Sequence, residues 1–452
     1  MPLKSFPKTP FARKIAWYAG LAVAGVALVC MSIFLFVPDA YLDGFVARRI
    51  IRAFDEAYPD YTLAIGKLHY SLLNNRLECD SVLIGKRDST ISCSVGRFFV
   101  AGITRRQLLW GGGVAPDNLV SSTAGVERIL MIFPMSGYKL SCDRIRVSVP
   151  DSVVVLEKLE YRPLGSDEEF FASSKTRRTR YRLLLPRCNV MGSACLRLLE
   201  GEVRCTRTAY IESGSLDVLI NRDKPAETEI ASPPNEILSS IRKTFQVDSL
   251  HLANGHLKYG ERYQPGSKPA ILTLEDTQLT LAWIEGKGGQ DTATLQADGR
   301  LMNAGRLDVS ISMPIASPGF SFHYSGRLGK MELSDFNPFI EISEQKRLKT
   351  GILHGSTFDI DSEAGRARGT VTAIYKDLKI AAISDRTGDE GGVGNKIVSF
   401  IGNNIKLRTT NLPDESGSMK IGKVKYERKK DEAFLAFAWY ALRTGLSDIV
   451  GF

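Results

Sequence analysis

From Ile15 to Val37 the chain runs 23 positions without a charge. A helix crossing a hydrocarbon core of about 30 Å needs roughly 20 apolar residues, so this stretch predicts a single membrane span. The pattern then changes. Leu42, Phe45, Val46, Ile50, Ala53, Phe54 and Ala57 recur at helical spacing, which predicts an amphipathic helix after the span. From Tyr61 onward apolar and polar positions alternate in short runs broken by Asn, Gly and Asp, and this persists for most of the chain. The segment after the span is therefore expected to be β-dominated.

Two turns carry a specific register. Asn254-Gly255 is the strongest short hairpin signal; a two-residue loop sets Leu252 opposite Leu257 and Leu250 opposite Tyr259, with His251, His256 and Lys258 on the other face. The same folding at Asn74-Asn75 sets Leu72 opposite Leu77 and Tyr70 opposite Cys79. Ile65 to Tyr70 and Val247 to Leu252 share a β-branched, x, x, Leu, His, apolar pattern, and each follows an amphipathic helical pattern, the second over Asn235 to Phe245. This reads as a weak internal duplication. Further helices are predicted at Ser334 to Lys349, at Val393 to Ile401 and at Asp431 to Leu442, the last ended by Gly445. The C-terminal run is too short to span a bilayer and suits a docked or interfacial helix.

Charge sets the orientation. Lys4, Lys8, Arg13 and Lys14 precede the span and Asp39 and Asp43 follow it, so residues 1–14 stay cytoplasmic and the rest is exported. Trp17, Tyr18, Phe34 and Phe36 stand near the ends of the span, where amphipathic rings favour the headgroup region. A cleaved signal peptide is the competing reading, but its apolar core would be shorter and would end in a small-residue site, against Val37-Pro38-Asp39 here. The net charge is +9 over 452 residues, and its basic residues cluster only weakly, which argues against nucleic acid as a partner. Six cysteines lie beyond the span; Cys79 and Cys93 share strand parity with apolar neighbours and suit buried thiols, while Cys188 and Cys195 either close a short loop or stay apart.

Chemistry is mostly excluded. Five histidines form no metal-binding cluster of recognisable spacing, and there is no nucleophile elbow, P-loop or dinucleotide fingerprint. Gly111-Gly112-Gly113 reads as a turn. Asp359, Asp361 and the acidic run Asp385 to Glu390 lack calcium-loop spacing and read as surface loops. No enzyme, metal or cofactor is expected.

Several stretches resemble the AsmA-like family of bacterial envelope proteins. They are YTLAIGKLHYSLLNNRLECDSVLIG after the anchor, VDSLHLANGHLKYGERYQPGSKPAILTLEDTQLTL in the middle, and GSTFDIDSEAGRARGTVTAIYKDLKI with GSMKIGKVKYERKKDEAFLAFAWYALRTGLSDIVG near the end. The resemblance implies an inner-membrane-anchored, otherwise periplasmic protein, with a curved antiparallel sheet forming a β-groove or elongated sandwich, and phospholipid acyl chains as the ligand. At about 4.8 Å per strand, some 20 strands make a groove of only about 100 Å, so a partial conduit is expected rather than a whole bridge.

The expected organisation is a cytoplasmic tail (1–14), the anchor (15–37), a β-rich domain (38–220), a linker and helix (221–246), a second β-rich domain (247–430) and a C-terminal helix (431–452). Candidate groove residues are Leu72, Leu77, Leu250, Leu252, Leu257 and Tyr259, although the same residues would serve as the closed core of any β-sandwich. The alternative function is a membrane-tethered, non-enzymatic scaffold that binds other envelope proteins through sheet edges or the C-terminal helix.

Overall fold

The computed structural model describes residues 58–71, 75–102, 122–192, 207–226, 248–284, 291–317, 319–383, 407–429 and 432–451, with 51, 54–56, 236, 238, 397 and 398. The stretch 15–37, with Trp17, Tyr18, Phe34 and Phe36, lies outside these residues, as does most of the helix expected over 235–245. Among the described residues no helix is long and apolar enough to cross a membrane. The chain is mainly β. It divides into two compact units that interleave in sequence: Met1–Gly165, Arg182–Gly214 and Ser240–Leu250 form the first, and Ser166–Tyr181, Ser215–Ser239 and His251–Phe452 the second.

In the first unit β1 (Tyr61–Ile65) and β2 (Leu68–Ser71) both pair with β3 (Arg76–Lys86). An antiparallel meander follows, each strand paired with the next: β4 (Ser92–Ala101), β5 (Thr123–Phe133), β6 (Tyr138–Ser148), β7 (Val153–Pro163) and β8 (Thr179–Gly192). The turn after β2 is wider than the expected two residues, because Ser71 pairs with Arg76 and Tyr70 with Leu77. Pairing is thus shifted by two from the expected one, which leaves every residue on its expected face.

Two long strands, β9 (Arg207–Asn221) and β10 (Ser249–Arg262), each contribute residues to both units. Here the Asn254-Gly255 hairpin is overturned: β10 runs straight through that dipeptide. Asn254 is left-handed, with φ 54°, and its neighbour on the next strand, Asp276, is left-handed at φ 49°. One left-handed residue inserts an extra outward position in a strand, whereas a hairpin needs two. Both explain why the apolar parity switches from Leu250 and Leu252 to Leu257 and Tyr259. Gly255 is buried against Leu252, whose side chain would have to move for a Cβ there, 2.6 Å from its Cδ2. With β10 unbroken, the likeness to the hairpin after β2 is lost, and with it the turn part of the duplication.

The second unit continues as β11 (Ala270–Ile284), β12 (Thr292–Leu301), β13 (Gly305–Pro314), β14 (Phe322–Leu328), β16 (Lys346–Glu363), β17 (Arg366–Ile383) and β19 (Gly422–Glu427), again antiparallel in that order. Short β15 (Met331–Glu332) and β18 (Ile397–Val398) pair with β16 and β17. Ile397–Val398 falls where a helix was expected over 393–401; at those two described residues the chain is strand instead, held by pairing to Ala382 and Ile383.

Among the described residues of this unit, α1 (Asp167–Ala172), α2 (Asn337–Ser343, after a 3-10 turn at Leu333–Phe336) and α3 (Phe434–Val450) are α-helices, and Glu236 and Leu238 are helical as well. The helix expected over 334–349 stops at Ser343 because Gln345 turns left-handed at φ 52°. Beyond it the alternation of Leu348, Ile352 and Ile360 with polar residues belongs to β16. Asn337 stitches the junction, its Oδ1 accepting from Leu348 N at 2.9 Å and its Nδ2 donating to Leu348 O at 3.0 Å. Likewise α3 passes through Gly445 and ends at Gly451, left-handed at φ 94°. Gly445 is needed for close packing rather than as a stop, as its neighbours make plain below.

Candidate functional site

The register of the first unit converts a sequence pattern into a surface. Read across the pairings from β3 to β8, Cys79, Phe98, Val126, Ile145, Leu156 and Cys188 lie side by side in one row. Next to it runs Val82, Val95, Ile129, Cys142, Leu159 and Leu185, followed by Ile84, Cys93, Met131, Leu140, Tyr161 and Leu183. On the far side come Val100, Ala124, Val147, Val154 and Val190. One face of this sheet is therefore apolar over its whole height.

Between the first two rows the parity of every strand slips by one. Each strand spends two successive residues on the other face: Asp80 and Ser81, Gly96 and Arg97, Glu127 and Arg128, Asp143 and Arg144, Glu157 and Lys158, Pro186 and Arg187. The slip is built from left-handed residues on alternate strands, Ser81 (φ 65°), Arg128 (φ 53°) and Lys158 (φ 51°). Gly96 admits this geometry, since a Cβ there would stand 2.9 Å from Arg128 Cβ. Along the slip the paired residues alternate in charge: Asp80, Arg97, Glu127, Arg144, Glu157, Arg187. Arg97 Nε stands 3.3 Å from Asp80, and Arg144 reaches Glu127 at 3.2 Å and Glu157 at 3.1 Å. Such cross-strand pairs favour this register over its neighbours, because a slipped strand would bring like charges together. Polar and apolar faces are thus sharply separated.

Burial along the apolar face is graded. Cys79, Val82, Val95 and Phe98 are at most 2% exposed. Toward β6, β7 and β8, Leu140, Ile145, Val147, Val154, Leu156, Leu159, Leu183, Leu185 and Val190 are only half-buried, while Cys142, Tyr161 and Cys188 in the same rows are buried. Among the described residues, the helix in this unit is confined to the residues around Phe54, ahead of β1. Four cysteines, Cys79, Cys93, Cys142 and Cys188, are buried on this face as free thiols. That agrees with the expectation for Cys79 and Cys93, and it overturns a Cys188 to Cys195 bridge. Burial pushes the thiols up, Cys79 to about 12, Cys93 to about 11 and Cys188 to about 11, so they stay neutral.

Of the residues expected to line a groove, Leu72 lies outside the described residues and Leu77 is placed by its backbone, paired with Tyr70 and Val100. Leu250, in the first unit, is half-buried. Leu252, Leu257 and Tyr259, in the second, are half-buried as well, while His251 and His256 face the other way, hydrogen-bonded to Thr280 and Glu275.

Tyr259 has a polar commitment that the sequence did not reveal. Its hydroxyl donates to Glu261 Oε1 at 2.6 Å, Tyr263 donates to Oε2 at 2.5 Å, and Arg222 pairs with Oε1 at 2.5 Å. Burial pulls the Glu261 carboxyl up, and the Arg222 guanidinium with the two hydroxyls outweighs it, leaving the group ionised and below its usual range. Nearby, Arg262 pairs with Glu168 at 2.5 Å and Asp223 at 3.6 Å, and Arg180 with Asp167 at 3.1 Å and Asp217 at 3.0 Å. Each of these buried cations is matched by carboxylates, which is the arrangement of a structural knot rather than of a group poised for proton transfer.

One cluster has the composition of a metal site. His323 Nδ1 is 2.9 Å from Asp361 Oδ1, and its Nε2 is 3.8 Å from Asp359 Oδ2. Asp359 and Asp361, expected in a loop, are instead outward residues of β16, where pairing to β14 brings His323 beside them. Asp359 and Asp361 are exposed to solvent and His323 is half-buried, and Arg368 is the cross-strand partner of Asp361. With two of its three members exposed and an arginine across the strand from one carboxylate, this is a surface hydrogen-bonded cluster rather than a built metal site.

The apolar face of the second unit has its own cover. Along β14 to β19 it is overlain by α3, whose Phe437 and Ala441 are fully buried and whose Ile449 is 1% exposed. Phe322 packs edge-on to Phe434, ring centroids 4.9 Å apart, and to Phe437 at 5.9 Å. A Cβ on Gly445 would stand 2.6 Å from Val371 Cγ2 and 2.9 Å from Val424 Cγ2. No protein-family model matches this chain, and no curated protein matches it either.

Proposed function

We propose that the chain is a non-enzymatic, membrane-anchored lipid-handling protein of AsmA-like type, whose first unit holds phospholipid acyl chains against its apolar sheet face. The observation that carries this reading is the half-buried state of the leucines, valines and isoleucine in the rows on β6 to β8. In a closed sandwich those leucines and valines would sit in a second layer and be fully buried. Left open, such a face is costly in water, and every 100 Å² that an acyl chain covers is worth about 2.5 kcal/mol.

Size suits this ligand. The half-buried part of the face covers three strands, about 10 Å across at about 4.8 Å each, and these strands of 11 to 14 residues run about 35 Å or more, longer than the roughly 15 Å that one leaflet's chains occupy, so an acyl chain fits along the strand direction. The rows offer no charged side chain to a headgroup, so recognition falls on the hydrocarbon, with headgroups left outside. The anchor expected at 15–37 would keep the face near its lipid source at the inner membrane, with the sheet in the periplasm. Free thiols suit either compartment, because buried and separated cysteines resist oxidation.

The scaffold alternative gave the C-terminal helix to a partner, and the burial of α3 against its own sheet speaks against that use. The test is phospholipid quantification by mass spectrometry on the purified full chain after exhaustive washing in lipid-free detergent. About one or more phospholipids per chain supports the proposal, and a folded chain free of lipid refutes it.

A further inference from the structure

We propose that α3 is a fixed plug, a segment of the chain itself occupying in the second unit the kind of surface that acyl chains take in the first. This deepens the groove reading and rests on it: within the second unit, the strands under α3 offer no surface to lipid.

Three observations argue for a permanent occupant rather than a mobile lid. The first is the closeness of fit. Ala441 and Gly445 let the helix backbone descend onto β19, where a Cβ on Gly422 would collide with the Gly445 carbonyl. Contact of that kind leaves no room for an acyl chain between helix and strand. The second is chemical likeness, since Phe434, Phe437 and Ile449 present to the sheet the hydrocarbon that a lipid would.

The third is a set of polar pins spread along the helix. Tyr324 donates to Ala438 O at 2.9 Å near its start, and Arg443 pairs with Glu344 at 2.8 Å in its middle. Near its end Asp448 accepts from Lys423 N at 2.9 Å and pairs with Lys420 at 2.9 Å. The Lys423 contact also occupies a backbone donor of β19, which pairs with β17. An interfacial helix free to leave for a membrane would not need these contacts.

The test is photo-crosslinking in the full chain in its native membrane, with p-benzoylphenylalanine placed in separate chains at Leu156 in the first unit and at Phe322 in the second. The plug predicts phospholipid adducts at position 156, and at position 322 an internal crosslink to the peptide containing Phe434 and Phe437 with no lipid adduct. Gly445→Leu, which wedges the helix off the sheet, is then expected to reduce the internal crosslink several-fold and to bring lipid adducts to position 322. Lipid adducts at 322 in the otherwise native chain overturn the plug while leaving the groove reading standing. Absence of lipid at 156 overturns the groove reading, and the plug with it. Should Gly445→Leu fail to fold, Arg443→Ala with Tyr324→Phe loosens the pins without crowding, and an internal crosslink unchanged in that chain counts against their role.

Discussion

The two units solve one problem in different ways. Each is an antiparallel sheet with one apolar and one polar face, and a half-apolar sheet in water needs a cover. In the second unit the cover is α3, and its Phe437 and the strand residues Ile360 and Val371 are fully buried. In the first unit the rows are buried on β3 and β4, while on β6 to β8 their Leu, Val and Ile residues are half-buried beside the buried Cys142, Tyr161 and Cys188. Under α3 the small residues Gly422, Ala441 and Gly445 bring helix and strand together while Phe322, Phe434 and Phe437 fill the space beside them; the half-buried positions of the first unit are Leu, Val and Ile. The difference teaches that an apolar strand face is not by itself evidence of a groove or of a core: the complementary shape of whatever lies above it decides.

The comparison can be broken most forcefully by placing a charge on each face. Val371→Arg buries an unpaired cation under α3, a change expected to cost more than about 4 kcal/mol and to unfold the second unit. Leu156→Arg, on a half-buried row, is expected to cost about 1 kcal/mol, since the guanidinium can reach water. Urea unfolding followed by hydrogen exchange on the strands of each unit reads both. Equal collapse in the two would show that the first unit also has a closed core.

Removing the cover's main anchor comes next. Phe437→Ala is expected to destabilise the second unit by about 3–5 kcal/mol and to leave exchange in β3 to β8 unchanged. Smaller again is the charge ladder. Arg144→Leu removes the cation between Glu127 and Glu157 and is expected to cost about 1–2 kcal/mol, confined to the first unit. A chevron measurement in which both units soften equally would contradict that confinement.

The smallest effects are those of titration. Hydrogen bonds from Lys420 and from the Lys423 amide hold Asp448 below the ordinary aspartate value of 3.8. A carboxyl lowered on folding stabilises above its unfolded value and loses that contribution as the pH falls through the folded one. Protection of α3 is therefore expected to slacken slightly only below about pH 4, and Asp448→Asn to abolish that dependence. In the first unit Cys79, Cys93 and Cys188 titrate near 11 to 12, so peptide-level alkylation at pH 8 is expected to spare them in the folded chain and to label them in urea.

Much of the fold was legible because strand alternation is local. The β character after Tyr61, the inward parity of Cys79 and Cys93 and the docked C-terminal helix all follow from side-chain spacing. What misled was the parity switch. A change of apolar parity across Asn254-Gly255 is produced equally by a hairpin and by one left-handed residue in a long strand, and only the partner strand distinguishes them. The same switch recurs at Asp80-Ser81, Glu127-Arg128 and Glu157-Lys158 without any Asn-Gly, which is the signal that could have revealed slips rather than turns. The ladder of charges, the knot around Glu261 and the meeting of His323 with Asp361 were out of reach, because each depends on cross-strand register between distant residues. Of the groove candidates, Leu252, Leu257 and Tyr259 sit in the second unit; the half-buried residues of β6 to β8 were not singled out, since no turn signal drew attention to them.

The central claim is that the first unit's apolar face is covered by lipid and not by protein. The most direct measurement is phospholipid bound per folded chain, compared between the native full chain and Leu156→Arg, with circular dichroism and exchange confirming that both are folded. The account predicts stoichiometric lipid in the native chain and a loss of at least half in the variant. Equal lipid in both, or none in a folded native chain, would contradict it.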